Sequence, residues 1–148
     1  MATINPYLTF DGNCEEASNF YRSVFGGAFP MVRKFSDMPL EEGMSTISDE
    51  AKRRIMHITL PISAETILMG SDTIPEMHTH KIGNNIALSI NTDSREEADR
   101  IFHGLSADGN LTMHLEDTFW GAYFGMWTDK FGVNWMVNYD DPSKVQAH

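Results

Sequence analysis

Short stretches in which apolar and polar residues alternate recur along the chain, and this period of two predicts β-strands. Eight stretches have this pattern or a composition typical of strands. They cover residues 4–10, 29–35, 55–62, 65–70, 86–90, 110–116, 122–128 and 134–139. Pro6 and Pro30 weaken the first two, because proline cannot donate to a strand ladder.

Two segments instead carry apolar residues at the spacing of a helix. The first follows the turn Asp11-Gly12-Asn13, has its apolar set at Ala17, Phe20, Tyr21 and Val24, and stops at Gly26-Gly27. We predict that Asn13 caps this helix, with Glu16 completing a capping box. The second begins with a capping box from Ser94 to Glu97 and ends near Asp108-Gly109.

The second half of the chain repeats the first. Glu96-Glu97-Ala98 matches Glu15-Glu16-Ala17, and each half reads as strand, helix and three strands. We therefore predict one domain over residues 1–148, with repeat one at about 1–71, a linker at about 72–83 and repeat two at about 84–140. Residues 36–54 lack periodicity and are expected to form a long loop, either covering a site or inserted at the surface, with room for a short helix.

The composition limits the range of partners. The 148 residues carry a net charge of −10 with a pI near 4.8, which disfavours nucleic acid and anionic membrane surfaces. The sequence shows neither a leader peptide nor an apolar run of transmembrane length. Its single cysteine, Cys14, fits a reducing compartment, so we expect a cytoplasmic protein.

The most aromatic part of the chain lies at residues 119–135. It contains three Trp residues and the glycines Gly121, Gly125 and Gly132, with the polar turn Thr128-Asp129-Lys130 near its centre. This composition predicts a β-hairpin whose large side chains belong to the core.

With these motifs in place, the sequence resembles a known family. The early DGNCEEASNFYRSVFGG, the late TDKFGVNW and the paired βαβββ units are similar to the PhnB-like branch of the glyoxalase/bleomycin resistance/dioxygenase (vicinal oxygen chelate) superfamily. The resemblance implies an α+β fold of two half-open curved sheets around a cavity, often completed in a homodimer. A methyltransferase-like label attached to this branch has no support here, because no glycine-rich loop for S-adenosylmethionine is visible.

The resemblance also implies where a metal would be held. In relatives that bind metal, four inward side chains on the first and last strands of each half are ligands, typically His, Glu or Gln. The matching positions here are Asn5, Met69, Asn85 and Met136. Hard divalent cations prefer carboxylate or imidazole, so we predict that the metal site is lost and that no cofactor is bound. The four side chains would then line a ligand pocket or simply fill the sheet interior.

His57 is the candidate catalytic residue. It lies between apolar residues of an alternating strand, and it would face the cavity if Ile58 and Leu60 pack under a helix. An imidazole there suits general acid–base work, although the same pattern is more typical of a structural histidine. His78 and His80 are a weak metal hypothesis, and Cys14 is either a small buried residue or a thiol activated by a helix terminus.

Two functional classes follow. The favoured one is a metal-free binder of a small, partly apolar molecule in a homodimer. The alternative is an enzyme of lyase, isomerase or dioxygenase type that uses His57 or an unexpected metal site, and a purely structural dimer is a third. No GxGxxG, GxxxxGK[ST], HExxH, GxSxG or CxxC motif occurs. The predicted pocket residues are Asn5, Tyr7, His57, Met69, Asn85, Trp120 and Met136.

Overall fold

The chain folds into two compact units. The computed structural model describes residues 2–38, 47–75 and 79–143, so part of the predicted 36–54 loop and His78 lie outside the described residues. The units span Met1–Lys81 and Ile82–His148, and the division falls inside the segment predicted as a linker. No helix in the described part of the chain is long and apolar enough to cross a membrane.

The first unit is a four-stranded sheet with one long helix. Its elements are β1 (Tyr7–Phe10), α1 (Cys14–Phe25), β2 (Met31–Lys34), a 3-10 turn (Phe35–Asp37), α2 (Asp49–Arg53), β3 (Ile55–Pro61) and β4 (Ile67–Asp72). The strand order is β1-β4-β3-β2, in which β1 runs parallel to β4 and the other pairs are antiparallel. The short helix allowed for in the 36–54 loop is α2.

The second unit repeats this plan without a counterpart of the 3-10 turn or of α2 among its described residues. Its elements are β5 (Leu88–Asn91), α3 (Arg95–Ser106), β6 (Asn110–Asp117), β7 (Ala122–Thr128) and β8 (Asn134–Asp140). The strand order β5-β8-β7-β6 is that of the first sheet, again with one parallel pair. The predicted α+β fold of tandem βαβββ repeats is confirmed, and each sheet is open rather than closed into a barrel.

One face of the first sheet is covered by α1. Ile58 and Leu60 of β3 are buried against the helix, whose own buried residues include Ala17 and Tyr21. These helix positions lie on one stripe because they are three or four residues apart. Burying the apolar stripe against alternate strand residues leaves the other face of the sheet without a helix.

Stacked tryptophans form the centre of the second unit. Trp127 and Trp135 are register partners on β7 and β8, with ring centroids 6.4 Å apart, and Phe102 of α3 meets Trp127 edge-on at 5.3 Å. A side chain at Gly125 would place its Cβ 2.8 Å from the Phe102 ring, so only glycine lets α3 approach this closely. From Ala122 onwards the aromatic stretch is thus core and hairpin as predicted, whereas Phe119 and Trp120 at its start are exposed and do not belong to the core.

A buried carboxylate also closes the β7–β8 turn. Asp129 accepts hydrogen bonds from the backbone N–H groups of Phe131 and Val133, and from the Trp135 indole N–H at 2.8 Å. One side chain therefore fixes both the turn and the orientation of a core tryptophan.

The two long helices begin differently, and the prediction for the first was wrong. The Asn13 side chain makes no capping hydrogen bond; instead, Asp72 of β4 accepts from the N–H groups of Gly12 and Cys14 at 2.8 and 2.9 Å. The second helix is capped locally as predicted, since Ser94 Oγ accepts from the Glu97 N–H. A distant residue replaces the local cap in the first unit.

We expect the substitution Asp72→Asn to destabilise the protein by about 2–4 kcal/mol. The amide would keep one acceptor oxygen but would turn an NH₂ group towards backbone N–H groups that are buried with it. Urea unfolding would measure the change. The exposed Asp140→Asn is the matched control, expected within about 0.5 kcal/mol of wild type, and an equally small change at Asp72 would contradict the prediction.

Candidate functional site

The candidate site lies on the open face of the first sheet, which we define as the face that α1 does not cover. Because Ile58 and Leu60 point towards α1, the alternate residues His57 and Thr59 point to the open face. The sequence predicted that His57 would face away from the helix if Ile58 and Leu60 packed under it, and this packing is observed. This orientation does not by itself assign a catalytic role to the residue.

Strand register brings further side chains to the same face. Tyr7 is the β1 partner of Met69, and Met69 is in turn the partner of Thr59. Arg33 of β2 is the partner of His57. Residues in register project from the same side of a sheet, so this face carries aromatic, thioether, hydroxyl, imidazole and guanidinium groups.

Tyr7 and His57 are in direct contact across the sheet. The Tyr7 hydroxyl and His57 Nδ1 are 3.3 Å apart, and the ring centroids are 5.6 Å apart with a tilt of 35°. Either group can donate, depending on the imidazole tautomer. Two of the predicted pocket residues are thus joined by a hydrogen bond.

A cavity of about 360 Å³ opens beside this pair. Its wall combines three hydroxyl-bearing residues of the strands and loops, one tyrosine, one carboxylate and three apolar side chains. The lining residues are Tyr7, Thr9, Phe35, Met56, Ser71, Asp72, Thr73 and Ile74.

The apolar wall of the cavity was not found from the sequence. Phe35, Ile47, Ala51 and Ile74 form a buried cluster against which Met56 packs. These residues come from the irregular 36–54 region, its borders and the segment after β4, where no periodic pattern marks a buried side. Ser71 lies just beyond the predicted strand 65–70, although continuing the β4 alternation from Met69 would have placed it on the open face.

Asp72 lines the cavity, but its oxygens are already occupied. Oδ1 accepts from Gly12 and Cys14, and Oδ2 accepts from the Ile55 N–H at 2.9 Å, with the residue only 4% exposed. A carboxylate held by three backbone donors has little capacity left for a metal or a proton transfer. We interpret it as structural.

The predicted metal positions of the first unit do not fit a hard cation. Asn5 Oδ1 accepts from the Ile67 N–H at 2.9 Å, so its acceptor fastens the start of β4, and Met69 offers only a thioether. Within the described residues, no group of three His, Cys, Asp or Glu side chains is placed to hold a metal ion. His80, the described member of the weak metal hypothesis, contacts the Thr9 carbonyl through Nε2 at 2.9 Å.

The remaining predicted residues belong to the second unit. Met136 lies on β8, on the side of the sheet opposite the buried Trp135 and Val137. Asn85 is exposed ahead of β5, and Trp120 is 43% exposed in the β6–β7 turn with its ring 6.4 Å from Phe124. Their role in a ligand pocket stays a prediction.

Cys14 is not an activated nucleophile. The residue is fully buried, and burial, together with the nearby Asp72 carboxylate, raises the pKa of the thiol to about 12. The alternative of a thiol pKa lowered by the helix terminus is therefore wrong. The interpretation as a small core residue on the first turn of α1 fits its position.

Comparison with known proteins now identifies the family. A family model described as 3-demethylubiquinone-9 3-methyltransferase matches residues 2–138, and the chain belongs to this family. Protein YjdN of Escherichia coli (strain K12) is 33% identical over 140 residues, which cover 91% of this chain and 93% of that protein.

Solved structures agree with this assignment. Protein PA1353 from Pseudomonas aeruginosa is 39% identical with a TM-score of 0.82, covering 95% of this chain and 98% of that one. A PhnB protein from Bacillus cereus, described as a putative 3-demethylubiquinone-9 3-methyltransferase, is 25% identical with a TM-score of 0.73, covering 93% and 99%. A glyoxylase/bleomycin resistance protein/dioxygenase domain from Frankia sp. EAN1pec shares the fold, with a TM-score of 0.64 at 10% identity over 95% and 98%. The resemblance to the PhnB-like branch is confirmed.

We expect the Cys14 thiol to resist alkylation and disulfide exchange in the native protein. Its pKa of about 12 and its burial leave almost no accessible thiolate at pH 8. Reaction with 5,5′-dithiobis(2-nitrobenzoic acid) should be slow in buffer and rapid in urea. Fast reaction of the folded protein at pH 8 would contradict this account of the thiol.

Proposed function

We propose that the protein is a metal-free small-molecule-binding member of its family. The cavity of about 360 Å³ on the open face of the first sheet carries this proposal. Ligand sites typically occupy a few hundred Å³ and pair apolar walls with a small number of polar groups. The composition of this cavity, with Phe35, Met56 and Ile74 facing strand hydroxyls, matches that description.

The lining favours a ligand that is mainly apolar and holds one or two hydrogen-bonding groups. Thr9 and Ser71 are register partners, so their hydroxyls are available side by side on neighbouring strands. The Tyr7 hydroxyl is a further donor or acceptor, and its contact with His57 links the imidazole to the cavity. We propose Tyr7, His57 and Met69 as ligand-pocket residues, together with Asn5 at the end of the same face.

An enzyme that uses His57 is the less favoured alternative. A general base needs a reacting partner, and the Cys14 thiol, with its raised pKa, is not a nucleophile at neutral pH. The carboxylate beside the cavity is occupied by three backbone donors. Binding requires only the groups described above, whereas catalysis would also require a substrate whose reacting proton lies within hydrogen-bond reach of His57.

The metal-free part of the proposal rests on donor chemistry. Amide and thioether groups at Asn5, Met69, Asn85 and Met136 carry no charge to offset the dehydration of a hard cation.

We propose the cytoplasm as the compartment, since Cys14 is an unpaired thiol.

We also propose that the protein assembles as a homodimer. Each sheet has an edge strand with exposed apolar residues, Met31 and Val32 on β2 and Leu111 on β6. Phe119, in the turn after β6, is 94% exposed. Exposed apolar edges of this kind favour association.

The binding proposal is tested with 8-anilinonaphthalene-1-sulfonate, a fluorescent probe that has apolar rings and one polar group. We expect saturable binding to the native protein, weakened about tenfold or more by Ser71→Leu, because the larger side chain would fill the cavity. Ser36→Leu places the same side chain at an exposed position and should bind as wild type does.

Equal binding by wild type and Ser71→Leu would contradict the cavity as the site. Native mass spectrometry and elemental analysis of the purified protein would run alongside. Stoichiometric Zn, Ni, Mn or Fe, with a melting temperature that falls on adding EDTA, would overturn the metal-free part of the proposal.

Sedimentation equilibrium tests the assembly. At micromolar concentration we expect twice the mass of the 16.7 kDa chain. Phe119→Asp adds a charge at an exposed site that the folded chain tolerates, and it should shift the equilibrium towards single chains. A wild-type protein that sediments as one chain would refute the dimer.

A further inference from the structure

Three methionines stand in one row across the sheet of the second unit. Met113 on β6 is the register partner of Met126 on β7, and Met126 is the partner of Met136 on β8. We call these three residues the methionine row. Ser89 on β5 is the partner of Met136 and ends the row at the edge of the sheet.

The methionine row lies on the face that α3 does not cover. The residues next to Met126 and Met136 along the strands, among them Trp127, Trp135 and Val137, are buried on the helix side. Met126 and Met136 are half-buried, and Met113 is 38% exposed. The thioethers are therefore reachable from solvent while their stems rest on the sheet.

The spacing of the row suits a single shared ion. Neighbouring strands lie about 4.8 Å apart, so the central Met126 is one strand away from each of the other two methionines. Methionine has three rotatable side-chain bonds, which let the three sulfurs turn towards one point above Met126.

The chemistry of the row selects a soft cation. Thioethers are neutral, polarisable donors that suit Cu(I) and are poor ligands for Mg²⁺, Ca²⁺ or Mn²⁺. The second unit contributes ten acidic and four basic residues, so its field attracts a cation without supplying a hard ligand within the row.

The neighbours of the row on its face of the sheet are a mixture of polar and aromatic side chains. On one side it is bordered by Thr128 and Asn134, whose side chains are hydrogen-bonded at 2.8 Å. On the other side lie Asn138, which contacts Asn91 at 3.4 Å, and its register partner Phe124, which is half-buried.

The first unit supplies an internal comparison. Its corresponding cross-strand row reads Tyr7, Met69, Thr59 and Met31. Threonine stands where the second unit has its central methionine, so the two sulfurs of the first row are separated by a full strand. The second unit therefore has three neighbouring thioethers, whereas the first unit has no methionine at the central position of its row.

We propose that Met113, Met126 and Met136 form a three-thioether binding site for Cu(I). The site lies in the second unit and takes a soft monovalent ion, whereas the metal-free part of the proposed function concerns hard divalent ions, so the two proposals are independent. Copper would be taken up already reduced, so binding involves no redox step.

Anaerobic titration with Cu(I) against the chelator bicinchoninate tests the site. We expect the native protein to withdraw about one equivalent of Cu(I), and Met126→Leu to weaken this at least about tenfold by removing the central ligand. Leucine conserves volume, so the fold should tolerate it. Met31→Leu in the first unit and Cys14→Ala are controls expected to bind as wild type does.

Three results would overturn the proposal. They are no competition with bicinchoninate by the native protein, unchanged binding by Met126→Leu, and an X-ray absorption spectrum that requires nitrogen or oxygen ligands. If Met126→Leu melted far below wild type, the exposed Met113→Leu would take its place with the same expectation. Loss of Cu(I) binding in that variant, with probe binding at the first-unit cavity unchanged, separates this site from the proposed function.

Discussion

The first unit depends on one buried carboxylate. Asp72 accepts hydrogen bonds from Gly12, Cys14 and Ile55, and thereby joins the end of β4 to the start of α1 and the start of β3. A buried charge is tolerated only when its acceptors are satisfied, and here backbone donors from two separate segments satisfy it. Arg54, beside this junction, binds the Thr73 carbonyl and Asp11. The C-terminal end of the central strand is thus held in place by polar contacts rather than by packing alone.

That junction also shapes the candidate site. Fixing Asp72 places Ser71 and Thr73 at the cavity wall, and it positions the chain that carries Ile74 into the apolar cluster opposite. The structural carboxylate and the proposed binding groups are therefore neighbours along the chain.

The two units show how a duplicated plan diverges. Both have the same strand order and one long helix, but α1 is capped by distant Asp72 and α3 by local Ser94. The open faces differ as well, since a tyrosine–histidine pair distinguishes the first and the methionine row the second. A shared backbone therefore carries two kinds of chemistry, because residues on the open face are not constrained by the helix packed on the other side.

The sequence by itself determined the order of strands and helices, the duplication, and which residues of β3 face the helix. These rest on local periodicity, and they placed His57 opposite Ile58 and Leu60 without coordinates. Only the tertiary structure decided what closes the first helix, what walls the cavity and which side chains meet across strands. Asp72 lies about sixty residues from the helix it caps, and Ile47 and Ile74 of the apolar cluster come from aperiodic segments. Such contacts depend on strand register and chain reversal, which a local pattern does not encode.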